Sequence, residues 1–67
     1  MIKPSKILRS YIEGFETRRD FCERFGIDQA ILSRYLSGSQ TCSSNFIASV
    51  IRETGMDFEK AFEVDDE

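Results

Sequence analysis

At 67 residues, with 40% apolar positions and six Phe, the chain can support one compact domain and leaves no room for a second, so residues 1–67 are read as a single unit. Histidine is absent and the two cysteines, Cys22 and Cys42, form no C-x-x-C pair, which excludes the usual zinc ligand sets; no metal and no cofactor is expected. No apolar run is long enough to span a bilayer, and the opening Met-Ile-Lys-Pro-Ser lacks the apolar core of a secretory signal, so a cytoplasmic protein with no membrane partner is expected.

The net charge of −3 conceals a division along the chain. Residues 1–45 carry seven Lys or Arg against five Asp or Glu, and residues 46–67 carry two against seven. A polyanion is therefore expected to meet the first two-thirds. A chain this short buries only about 60% of its unfolded surface, so a second copy is a natural supplement and a homodimer is expected. Catalysis is not expected: there is no histidine, no nucleophile beside a base, no phosphate-cradling glycine loop and little volume for a pocket.

In chain order, Pro4 and Ser5 suit a helix start. Ile7, Leu8, Tyr11, Ile12 and Phe15 then recur at one-face spacing until Gly14 stops the first helix. Thr17 and Asp20 resemble a capping box, opening a second helix whose apolar face is Phe21, Cys22 and Phe25. Cys22 reads as a buried structural thiol, with a redox or disulfide role as the alternative. Gly26 ends that helix and supplies the left-handed backbone of a tight turn.

Asp28 can cap a third helix, over residues 28–37, with Ile27, Ile31, Leu32, Tyr35 and Leu36 as its buried stripe. Its other face reads Gln29, Ala30, Ser33, Arg34 and Ser37. These side chains are short or hydrogen-bonding, with one guanidinium and no carboxylate, whereas a solvated face more often mixes Glu with Lys. The surface is suited to close approach. A polar loop from Ser37 to Ser44 leads to a fourth helix capped by Ser43 or Ser44 and lined by Phe46, Ile47, Val50 and Ile51, and Gly55 closes it. Asp57 is the candidate cap of a short fifth helix carrying Phe58, Ala61 and Phe62, followed by an acidic tail, residues 64–67, expected to be frayed. No strand alternation and no repeat is found. The expectation is an all-α protein of five short helices.

The segment TRRDFCERFGIDQAILSRYLSG, residues 17–38, resembles the helix-turn-helix of the Cro and phage-repressor family, also called the xenobiotic-response-element type. Phe21 and Cys22 take the places of the family's usual Leu-Ala pair, Gly26 is the turn glycine, Ile27 the buried turn residue, and Leu32 and Tyr35 the core positions of the recognition helix. The later GMDFEKAFE looks like the family's closing helix. The likeness covers about three-quarters of the chain, and implies a five-helix bundle of the lambda-repressor-like kind with its helix-turn-helix core at 17–37.

Carried over position by position, the resemblance implies that Gln29, Ala30, Ser33 and Arg34 contact bases in the major groove of a double-stranded DNA operator. Chemistry agrees, because Gln matches adenine's N6 and N7 edge, Arg matches guanine's O6 and N7, and Ala can sit against a thymine methyl. Arg18 and Arg19, in the first turn of the second helix, are candidate phosphate contacts, as are Ser37, Ser39, Gln40, Thr41 and Asn45. Arg18, Arg19 and Arg24 also have a simpler reading as a solvated face, and Arg24 is left out of the site. Phe58, Phe62 and Val64 are candidates for a dimer seam, with core packing as the alternative.

The resemblance thus implies a sequence-specific transcriptional regulator, a Cro-like repressor of the kind encoded by phages or mobile elements, occupying a near-palindromic operator as a dimer. The pattern departs where the family often has Gln in place of Arg18 and Ser or Thr in place of Asp28, and where relatives carry Lys and Pro in the loop after the recognition helix. A carboxylate at Asp28 and the acidic end suit an alternative: an antirepressor or modulator that uses the same fold to bind another regulator.

Overall fold

The computed structural model describes residues 1–65. In chain order these form β1 (Ile2–Pro4), α1 (Lys6–Glu13), α2 (Arg18–Phe25), α3 (Gln29–Ser37), α4 (Ser44–Thr54), α5 (Phe58–Ala61) and β2 (Phe62–Val64). The five expected helices are present in a compact, mostly helical structure, accompanied by a small two-stranded sheet that was not expected.

Four helices begin where a short oxygen-bearing side chain can satisfy an orphan amide. Ser5 accepts from the Leu8 N–H at 3.2 Å, Thr17 from Asp20 at 3.2 Å, Asp28 from Ala30 at 2.8 Å and Ser43 from Phe46 at 3.2 Å. Asp57 occupies the N-cap position of α5 without a side-chain cap bond, so the cap expected of it is not made; its backbone carbonyl instead accepts from Lys60 and Ala61. At the other ends, Gly26 adopts φ 69°, a left-handed conformation that disfavours a Cβ. Three residues, 26–28, thereby connect α2 to α3.

The buried stripe of α1 runs Ser5, Leu8 and Ile12, with Arg9 half-buried beside it, an i, i+3, i+4, i+7 set. Ile7, expected on the apolar face, lies off that set and is 50% exposed. Phe21 is fully buried and its ring meets Phe25 at 4.3 Å, Phe15 at 5.4 Å and Phe46 at 6.4 Å between centroids, which ties α2 to α4 and to the segment after α1. Leu32 and Tyr35 insert α3 into the same core, and Tyr35 meets Phe46 at 4.9 Å.

The two strands pair antiparallel, with Ile2 opposite Val64, Lys3 opposite Glu63 and Pro4 opposite Phe62. The Ser5 N–H donates to the Ala61 carbonyl at 2.9 Å and the Ser5 hydroxyl to the Lys60 carbonyl at 2.6 Å, so this cap residue also closes the chain ends together. On the opposite side of β1, the Ile2 N–H donates to Thr41 Oγ1 at 2.8 Å and the Cys42 N–H to the Ile2 carbonyl at 2.9 Å. β1 is therefore held between β2 and the loop after α3. The frayed tail expected from residue 64 is corrected accordingly: Val64 is a strand residue, and the Asp65 N–H donates to the Met1 carbonyl at 2.8 Å. Asp66 and Glu67 lie outside the described residues. Among the described residues, no helix is long and apolar enough to cross a membrane.

Candidate nucleic-acid interface

Gln29, Ala30, Ser33, Arg34 and Ser37 are all exposed. At about 100° per residue they span roughly 140° of the circumference of α3, opposite the side that buries Leu32 and Tyr35. Asp28 and Gly26 fix where this face starts: the Asp28 carboxylate caps the first turn, where a negative charge meets the positive end of the helix dipole. Arg34 lies in the last turn, where a cation is favoured, and its guanidinium makes no ion pair among the described residues.

The arginines of α2 are differently placed. Arg18 lies 3.7 Å from Glu13, and Arg19 lies 3.3 Å from Glu23 one turn along the same helix. All four side chains are largely exposed, and exposed pairs of this kind contribute only about 0–1 kcal/mol. A phosphate can replace either carboxylate, since the arginine forks match both anions. Arg24 pairs with Glu53 at 3.6 Å, an ion pair between α2 and α4.

The loop hydroxyls are partly committed. Ser37 Oγ and Ser39 Oγ each reach the Arg34 carbonyl, at 3.2 and 3.4 Å, and lie 3.0 Å from each other. A hydroxyl has one proton to donate, so Ser37 and Ser39 must release the Arg34 carbonyl before donating to a phosphate. Thr41 accepts from Ile2 and keeps its own proton available. Gln40 is half-buried and Asn45 exposed; Asn45 lines a groove of about 290 Å³ with Asp28, Ile31 and Ser43. A second groove, of about 440 Å³, lies at the elbow of α2 and α3 and brings Arg19 and Gln29 together with Glu23 and Asp28.

Cys22 and Cys42 are both buried and unbridged. Burial raises the Cys22 pKa, the Asp28 carboxylate raises it further, and the Arg18 charge works in the opposite direction. Burial alone lifts Cys42 to about 11.

No family model, curated protein or solved structure matches this chain.

Of the three residues expected at a dimer seam, Phe62 is corrected to a core residue. It is 2% exposed and its ring stacks on Phe58 at 5.5 Å and meets Phe46 edge-on at 6.1 Å. The strand pairing of Phe62 with Pro4 turns it inward. Phe58 is half-buried and Val64 is 58% exposed. Sequence reasoning passed over Arg9, whose Nη2 donates to the Leu36 carbonyl at the end of α3 at 2.5 Å. No sequence signal marked it, because Arg9 lies beside the apolar stripe of α1 and its acceptor is a backbone carbonyl.

Proposed function

We propose that this protein is a sequence-specific DNA-binding regulator in which α2, the turn at Gly26 and α3 act as a helix-turn-helix, with α3 in the major groove. The observation that carries the reading is the outer face of α3: Gln29, Ala30, Ser33 and Arg34 are exposed together, carboxylate-free, with the Arg34 charge unpaired among the described residues. Those side chains match base edges. Arg18, Arg19, Thr41 and Asn45 supply backbone contacts, with Ser37, Ser39 and Gln40 as weaker neutral partners. A two-fold dimer, seamed through Val64 and Phe58, places two copies of α3 on successive turns of a near-palindromic operator and regulates by occupancy.

The test is selection of genomic fragments followed by a gel shift in about 150 mM salt with competitor DNA, conditions that suppress nonspecific binding. A near-palindromic site bound by the wild type and lost in Arg34→Ala is the expected result. Enrichment of no fragment defeats the reading.

A second reading is favoured by the carboxylates Glu23 and Asp28 in the elbow groove and by the net charge of −3: the same surface covers another regulator. Asp28→Asn separates the two, because Asn keeps the helix cap while removing the charge. The DNA-reading protein binds its operator equally well or more tightly after this change. A protein-binding modulator loses its partner.

A further inference from the structure

We infer that Arg9 is a positioning residue: from α1, its guanidinium holds the C-terminal end of α3 in the orientation that presents Arg34. The consequence for DNA binding rests on the function proposed above, whereas the anchor itself rests on hydrogen bonding within the chain.

The last four carbonyls of a helix have no partner inside it. At the end of α3, the Arg34 carbonyl accepts from the Ser39 N–H at 3.1 Å and the Tyr35 carbonyl from the Gly38 N–H at 3.3 Å. These are local bonds and move with the helix. The Leu36 carbonyl is satisfied instead by Arg9 Nη2 at 2.5 Å in a part-buried setting. This is the one hydrogen bond among the described residues that a side chain of another helix makes to α3.

A guanidinium bonding to a carbonyl is charge-assisted, and its positive charge meets the negative end of the helix dipole. Arg9 enters no ion pair among the described residues, so no carboxylate competes for it there. Leu32 and Tyr35 are buried on the inner side of α3 and Ile31 and Leu36 pack partly against the same core, but apolar contacts are non-directional, whereas a hydrogen bond to a carbonyl has a preferred direction. The Asp28 cap is local and moves with the helix, so among the described residues the bond from Arg9 is the one that ties an end of α3 to another helix. Arg34 lies two positions before the gripped carbonyl, so loss of the grip is transmitted to its side chain within one turn.

The test compares wild type, Arg9→Met, which keeps the aliphatic stem and removes the donors, and Arg9→Lys, which restores a charged donor group. Amide hydrogen exchange at Gly38 and Ser39 is measured without DNA, and specific against competitor binding is measured at a temperature where each variant is folded. In Arg9→Met, exchange at these two amides accelerates and specific binding weakens on the order of tenfold, while competitor binding and the salt slope are unchanged. Arg9→Lys recovers most of both. If Arg9→Met melts earlier but retains wild-type exchange at those amides and the wild-type specificity ratio when folded, Arg9 is a stabilising residue only and the inference is overturned. Should Arg9→Met fail to fold, wild-type exchange and ratio in Arg9→Lys support the inference, and a lowered ratio without faster exchange overturns it. If wild type selects no DNA, the proposed function fails, and exchange at Gly38 and Ser39 still decides whether the anchor exists.

Discussion

Arg34 and Arg9 stand on different helices and illustrate how unequal two arginines can be. The Arg34 side chain is exposed and makes no described ion pair, so its removal costs the fold little and Ala is the better helix former. Arg34→Ala is therefore expected to lose about 1–3 kcal/mol of specific binding with thermal stability within about 0.5 kcal/mol of wild type, read by titration of a selected duplex and by thermal melting. Loss of folding would make Arg34 structural. Its exposure was legible because helical periodicity alone separates positions 29, 30, 33 and 34 from the apolar stripe. The grip of Arg9 was not, because its acceptor is a backbone carbonyl 27 positions away and no residue type marks a carbonyl in a sequence.

Cys42 supplies a second prediction at this scale. Burial raises its pKa from the ordinary 9.0 to about 11, so the folded chain holds the thiol proton more tightly than the unfolded chain. The associated stability is complete below about pH 9 and is lost as pH rises through about 11. Urea denaturation across that range should show falling stability for wild type and a flatter profile for Cys42→Ala. An identical slope in both proteins would remove Cys42 as the cause. That the polar loop buries its single apolar residue was not legible, since the folded chain alone brings Cys42 against β1, where its N–H donates to the Ile2 carbonyl.

At the scale of elements, starts and stops were the most legible features. Ser5, Thr17, Asp28 and Ser43 cap the helices that their chemistry indicated, because a cap is a local bond spanning two or three residues. The turn between α2 and α3 depends on Gly26 at φ 69°. A Cβ added there meets no atom within 4 Å, so the penalty of Gly26→Ala is that of the backbone conformation, about 1–2 kcal/mol. The variant should melt earlier by that amount and retain its helical spectrum, whereas Gly26→Asn should lose less. A fully stable Gly26→Ala would show that the turn relaxes to another conformation.

For the whole molecule, the missed feature was the sheet. Strands of three residues are too short to display alternation, and β1 contains Pro4, which reads as a helix start or breaker before it reads as a strand. The pairing is instead a product of closure: Ser5 bonds to Lys60 and Ala61, which brings Pro4 opposite Phe62. This also explains why Phe62, a seam candidate on a helix that carries Phe58, Ala61 and Phe62, is in the core. Helix periodicity located the helices as far as Ala61, with Ile7 misplaced on the apolar face, and tertiary contact decided the next three residues.

The most direct test of a DNA-reading α3 is to follow backbone amide and arginine side-chain NMR signals while the selected duplex is added. The proposed account predicts the largest changes along residues 28–41, including the Arg34 guanidinium, with smaller ones at Arg18 and Arg19. Changes confined to Phe58–Val64, or none in α3 at saturating duplex, would contradict it.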